Sequence, residues 1–182
     1  MMTILRSLMV ALASLGFATA VCAQHKTSSV QVNVVATTDT LRGFQLSLLN
    51  ATNKTYGVQL SPLINVAHYL HAVQIGTMGN MATGSMRGVQ LSAVNNMAGD
   101  VCGGLQLSAL TNVSMGCMRG VQLGAYNYAD SLRGVQLGLV NIAVSHPRGV
   151  QVGLINYTRD ADMRKVGLIN IDPNTRIDVL RS

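Results

Sequence analysis

The 182-residue sequence contains no tryptophan and no glutamate; its seven acidic residues are all aspartate, 11% of it is charged and 4% is aromatic. Surface helices draw heavily on Glu and Lys, whose unbranched side chains lose little freedom in a helix. Without the first and with only three of the second, a helical enzyme domain is excluded. Disorder is excluded too, because disordered chains are rich in charge and poor in apolar residues, whereas 48% of this one is hydrophobic. A retained spanning helix needs about 20 apolar residues, and the run from Ser7 to Ala20 is shorter. What is plentiful is Val, Asn, Gln, Met and Gly, with 18 glycines, material for short strands and turns.

The N-terminus reads as an export signal. Arg6 precedes the apolar run, and Val21-Cys22-Ala23 sets small residues before a cleavage point at Gln24. Residues 1–23 are thus expected to be a secretory signal peptide. An alternative is lipidation on Cys22, but Val21 stands where a lipobox has Gly, Ala or Ser. The mature chain is expected to be exported, to the periplasm or to the outer membrane and cell surface.

Self-comparison reveals a repeat array. Gly134-Val-Gln-Leu-Gly-Leu-Val-Asn141 recurs at Gly149 to Asn156, Gly120 to Asn127 and Gly88 to Asn95, with looser copies from Gly43, Gly57, Ala72 and Gly104 and a degenerate ninth over Met163 to Asn170. Gln45, Gln59, Gln74, Gln90, Gln106, Gln122, Gln136 and Gln151 are separated by 14, 15, 16, 16, 16, 14 and 15 residues, and Lys165 takes the ninth place. An apolar residue follows every glutamine or its substitute. Each of the eight glutamines is also preceded by one. This alternation is the period-two signature of a strand with one buried face. Leu91, Leu107, Leu123, Leu137 and Val152 are therefore expected in the core, with Gln90, Gln106, Gln122, Gln136 and Gln151 forming an amide ladder or an outward stripe. On this reading, Leu123→Asp or Leu137→Asp unfolds the array.

Two places after each glutamine stands Gly or Ser, which implies a close neighbour. Consecutive, mostly apolar residues and then Asn, in six of nine copies, imply a corner. About 15 residues per repeat is too short for helical repeats but suits one coil of a parallel β-solenoid. The sequence thus predicts an all-β chain with about nine coils of 14–16 residues over 42–170, an N-terminal strand and cap over 24–41, and a C-terminal cap over 171–182. Val30, Val32 and Val34 mark the first cap, Ile177 and Val179 the second. An antiparallel meander or small outer-membrane β-barrel is the alternative, opposed by short apolar stretches, missing aromatic girdles and a uniform connection.

Further columns point outward. Arg42, Arg87, Arg119, Arg133 and Arg148 precede the repeat glycine as an interrupted stripe. Cys102 and Cys117 lie one repeat apart, so a disulfide or a pair of buried thiols is expected there.

These tandem Gly-Val-Gln-Leu-Gly-Leu-Val-Asn units resemble the surface-repeat proteins of Leptospira and Bacteroidetes, most of them uncharacterised, over roughly Arg42 to Asn170. The resemblance implies an exported protein at the cell surface and no catalytic residues; the missing lipobox departs from its lipoprotein members.

No catalytic, cofactor or metal site is expected. His68 and His71 could share a metal only with a third ligand, and a corner position is the simpler reading. Solenoid polysaccharide lyases or hydrolases need clustered carboxylates that this chain lacks. Asp39-Thr40-Leu41 and Asp130-Ser131-Leu132 match a short O-glycosylation pattern. The expected function is a non-enzymatic envelope scaffold or interaction surface. The alternative is an adhesin-like binder of glycans or anionic polymers through the Gln stripe and Arg119, Arg133 and Arg148. The expected partner is an envelope protein or glycan, with outer-membrane association or self-association through the solenoid ends. Nucleic acid is not expected for an exported chain despite the net charge of +6.

Overall fold

The structure, a computed structural model, describes residues 24–145, 147–159, 163–172 and 178–179. The expected signal peptide and Ile177 lie outside the described residues. The strands are β1 (Gln24–Ser61), β2 (Ile64–Gly76), β3 (Gly79–Ser92), β4 (Asn95–Ser108), β5 (Thr111–Leu123), β6 (Tyr126–Ala143), β7 (Arg148–Thr158), β8 (Arg164–Val166), β9 (Ile169–Ile171) and β10 (Asp178–Val179). Each pairs in parallel with the next coil's equivalent, and β10 closes the stack antiparallel to β9. The result is a parallel β-solenoid of about eight turns and not a barrel.

Repeat identity sets the register. Gln59 pairs with Gln74, Gln90 with Gln106 and Gln136 with Gln151, so like stacks on like. The glutamine segment ends at a bend such as Ala93-Val94 or Ala109-Leu110, beyond which the asparagine segment runs back. A second corner, where the register shifts, absorbs further differences in coil length. A glycine column lets the coils stack closely: Gly120 has φ 142°, and a Cβ there would run into the carbonyl oxygen of Gly104.

The interior is not the one the alternation predicts. Gln45 through Gln151 are fully buried, whereas Leu123 is 41% and Val152 36% exposed, and Leu91, Leu107 and Leu137 are half-buried on the outside. The expected leucine core is thus corrected: a period of two separates two faces without saying which is inside. The true apolar core occupies one end of each coil, near the second corner, where Leu70, Met86, Val101, Met118 and Leu132 stack beside Ala67, Ala82, Ala98, Ala129 and Ala143. The segment marked by Val30, Val32 and Val34 is also a coil: Gln31 joins the glutamine column while all three valines face outward.

Candidate interaction surface

Two amide ladders fill the rest of the interior. Each glutamine Nε2 from Gln45 to Gln151 donates to the Oε1 of the glutamine one coil earlier, at 2.7–2.9 Å. In the middle and late coils the second amide proton crosses the interior to a main-chain carbonyl of the asparagine segment, as from Gln122 to Tyr128 at 3.0 Å and from Gln136 to Ile142 at 3.1 Å.

The second ladder comprises Asn50, Asn65, Asn80, Asn96, Asn112, Asn127, Asn141, Asn156 and Asn170. From Asn50 to Asn156 each Nδ2 donates to the Oδ1 of the asparagine one coil later, at 2.7–3.0 Å. Each also donates to the carbonyl of an outward Leu, Ile or Val in that later coil, such as Leu137 at 2.9 Å, which ties the first corner to the glutamine segment. Four coils, those of Gln59, Gln74, Gln90 and Gln106, carry an extra corner residue, so the asparagine in line is, for example, Asn96 rather than Asn95, and the column from Asn50 to Asn170 is unbroken. The close neighbours implied by the Gly/Ser column are the backbone of the preceding coil and this ladder: a Cβ on Gly138 would run into the carbonyl oxygen of Gly124 and come within 2.6 Å of Asn127 Nδ2.

Buried amides that satisfy one another remove the cost of a polar interior. Four buried side-chain atoms among the described residues lack a partner, and two are the terminal acceptors of the ladders, Gln151 Oε1 and Asn50 Oδ1. In the coil after Gln151, Lys165 replaces the next glutamine and forms a largely buried ion pair with Asp172.

The outward positions are the reverse. Before each buried glutamine stands a half-buried Phe, Val or Leu, and after it an exposed or half-buried Leu, Ile or Val. The first corner presents Leu63, Met78, Val94, Leu110, Leu139 and Leu154, with Leu139 55% exposed. After the buried asparagine come outward-facing Val66, Met81, Met97, Val113, Tyr128, Ile142, Tyr157 and Ile171. An apolar band therefore wraps the glutamine face, the first corner and the asparagine face. The second corner is the more polar edge, with Asp39, Lys54, Thr83, Asp100 and Asp130 beside exposed Tyr69 and Met115, and it carries both candidate glycosylation tripeptides.

Arg42, Arg87, Arg119, Arg133 and Arg148 are exposed along the border between that edge and the glutamine face. Arg119 pairs in register with Arg133, and Arg133 with Arg148. The stripe of Gln90, Gln106, Gln122, Gln136 and Gln151 does not share this surface, because those side chains are buried. A binding site built of Gln and Arg together is thereby corrected to arginine beside aliphatic side chains.

The expected bridge between Cys102 and Cys117 is also corrected, since Cys117 is a free thiol. The register pairs Val101 with Met118. Cys102 follows the first and Cys117 precedes the second, so the two are offset along the strands. His68 bonds Thr83 through Nδ1 at 2.9 Å and His71 packs edge-on to Tyr56, both near the polar edge. Among the described residues no group of three or more His, Cys, Asp or Glu could hold a metal. Comparisons with family models, curated proteins and solved structures gave no match.

Proposed function

We propose that this chain is a non-enzymatic, exported repeat protein that serves as an interaction scaffold at the bacterial envelope, and that its working surface is the apolar band. One observation carries the reading: the amide side chains of the repeat face inward and satisfy one another, while its aliphatic side chains face outward. A water-soluble monomer rarely exposes a contiguous apolar patch of more than a few hundred Å², and here exposed or half-buried aliphatic side chains recur on successive coils from Leu46 to Leu168. Such a surface marks a protein or membrane partner. The export signal read from residues 1–23 and the likeness to surface-repeat proteins support the envelope as its place.

Membrane fractionation combined with protease shaving of intact cells tests the proposal. The protein is expected in the envelope fraction, with cleavage on intact cells if the band serves the outer face and protection until permeabilisation if it serves the periplasmic one. Recovery in the cytosol would contradict the reading. The in-register Arg119, Arg133 and Arg148 favour a second reading, a binder of anionic glycans, for which salt-sensitive retention on a polysaccharide column is the test.

A further inference from the structure

We infer that the partner of the apolar band is one leaflet of an anionic lipid membrane, in which the solenoid lies on its side with the second corner in water. The inference rests on the interaction-scaffold reading and names what that surface meets. The shape of the band is the first reason. It turns continuously around the first corner, where Leu110, Leu139 and Leu154 form a convex ridge. A rigid second copy covers one flat face at a time, whereas hydrocarbon chains cover a ridge and both its flanks.

Dimensions agree. From the aliphatic column before glutamine to the first corner is about five residues, or roughly 15 Å at about 3.3 Å per residue. That matches half of a hydrocarbon core about 30 Å thick. The polar edge runs the length of the stack, so the axis lies in the membrane plane. Immersion strands few polar groups, because main-chain groups pair between coils and interior amides pair along their ladders.

Charge is the second, independent reason. Arg119, Arg133 and Arg148 occupy successive coils, about 4.8 Å apart, and like charges stacked in register destabilise a sheet. Among the described residues none of the three is ion-paired. They stand where the apolar face meets the polar edge, at headgroup level, where phosphates would relieve their repulsion and aliphatic stems would remain in the apolar layer.

Flotation of the purified full chain with vesicles tests this, comparing phosphatidylglycerol/phosphatidylethanolamine with phosphatidylcholine alone. The protein is expected to float with the anionic vesicles, and the Arg119→Gln/Arg133→Gln/Arg148→Gln variant to bind them about a hundredfold more weakly, from roughly fivefold per arginine near the surface. The chain has no tryptophan, so Leu139→Trp and Lys54→Trp give single reporters at the ridge and the polar edge. Deeply brominated lipid is expected to quench the first and spare the second. Equal quenching of both, or equal flotation on neutral and anionic vesicles, would overturn the inference. Failure to float by a chain that self-associates through the band, with Leu139→Asp dissociating it, would overturn the lipid and leave the scaffold reading with a second copy as partner. A monodisperse chain that binds no vesicle would overturn both.

Discussion

The glutamine and asparagine ladders share one interior and run in opposite directions. Glutamine N–H groups point toward the N-terminal coils and asparagine N–H groups toward the C-terminal ones, so the two rows of amide dipoles oppose each other. They also do different work. Each asparagine fastens a corner, bonding a neighbour in its own ladder and a carbonyl of the next coil's glutamine segment. The glutamines bind coil to coil and, from the middle of the stack onward, sheet to sheet. The asparagine ladder continues through Asn170, whereas the glutamine ladder stops at Gln151 and Lys165 takes the next place. Each ladder thus gives way at one end of the stack: buried Ala36 stands one repeat before Asn50 in the coil of Gln31, and Lys165 takes the glutamine place with Asp172 as its counter-charge.

Substitutions break this comparison with graded effects. The largest loss is expected from Gln122→Glu, which puts a carboxylate into a fully buried amide row. Burial raises the carboxyl's folded pKa above its unfolded value near 4.3. Its neutral form is then favoured in the fold, and stability is lost as pH rises above about 4.3. Thermal melts at pH 4 and pH 7 should differ by tens of degrees, whereas a pH-independent melt would place Gln122 in solvent. Next comes Asn127→Ala, which removes two amide protons shared among the Gly124, Leu137 and Asn141 oxygens and one acceptor that serves Asn112. Unsatisfied buried groups cost about 1–3 kcal/mol each, so chemical denaturation should show a loss of about 3–5 kcal/mol, exceeding that of Gln122→Ala. A larger loss for Gln122→Ala would reverse the ranking of the ladders.

A smaller effect is expected from Lys165→Gln with Asp172→Asn, which exchanges a buried ion pair for amides and offers Gln151 Oε1 a donor. Such exchanges are often neutral or stabilising, so the midpoint should move by about 1 kcal/mol or less, while Lys165→Gln alone should destabilise by about 3 kcal/mol. The smallest effect is expected from Leu123→Ser, within about 1 kcal/mol, because its side chain faces outward. A loss of several kcal/mol there would restore the leucine column to the core.

The coil length, the parallel stacking and the like-on-like columns were legible in the glutamine spacing, because a repeat of about 15 residues admits few architectures. The side that faces inward was not, since Val-Gln-Leu alternates identically either way and hydrophobicity argues for the wrong phase. Two signals carried the correct phase. The Gly/Ser column shares the parity of glutamine and belongs with it in the crowded interior. Four places before glutamine, at the same parity, stand Leu41, Leu70, Met86, Met118 and Leu132, all buried. The asparagine column looked incomplete because an extra corner residue shifts the reading frame in four coils, hiding Asn65, Asn80 and Asn112 and substituting Asn95 for Asn96, a change that stacking absorbs and linear alignment does not. The cysteine spacing misled for a related reason, since equal separation in sequence is not equal register where strands bulge.

Side-chain amide exchange tests the inverted interior most directly. With 15N-labelled glutamine in the folded protein, the Nε2 protons of Gln45 through Gln151 should persist in D2O for as long as the protected strand amides. Nε2 protons that exchange as quickly as those of a free glutamine would put the ladder in water and contradict the account.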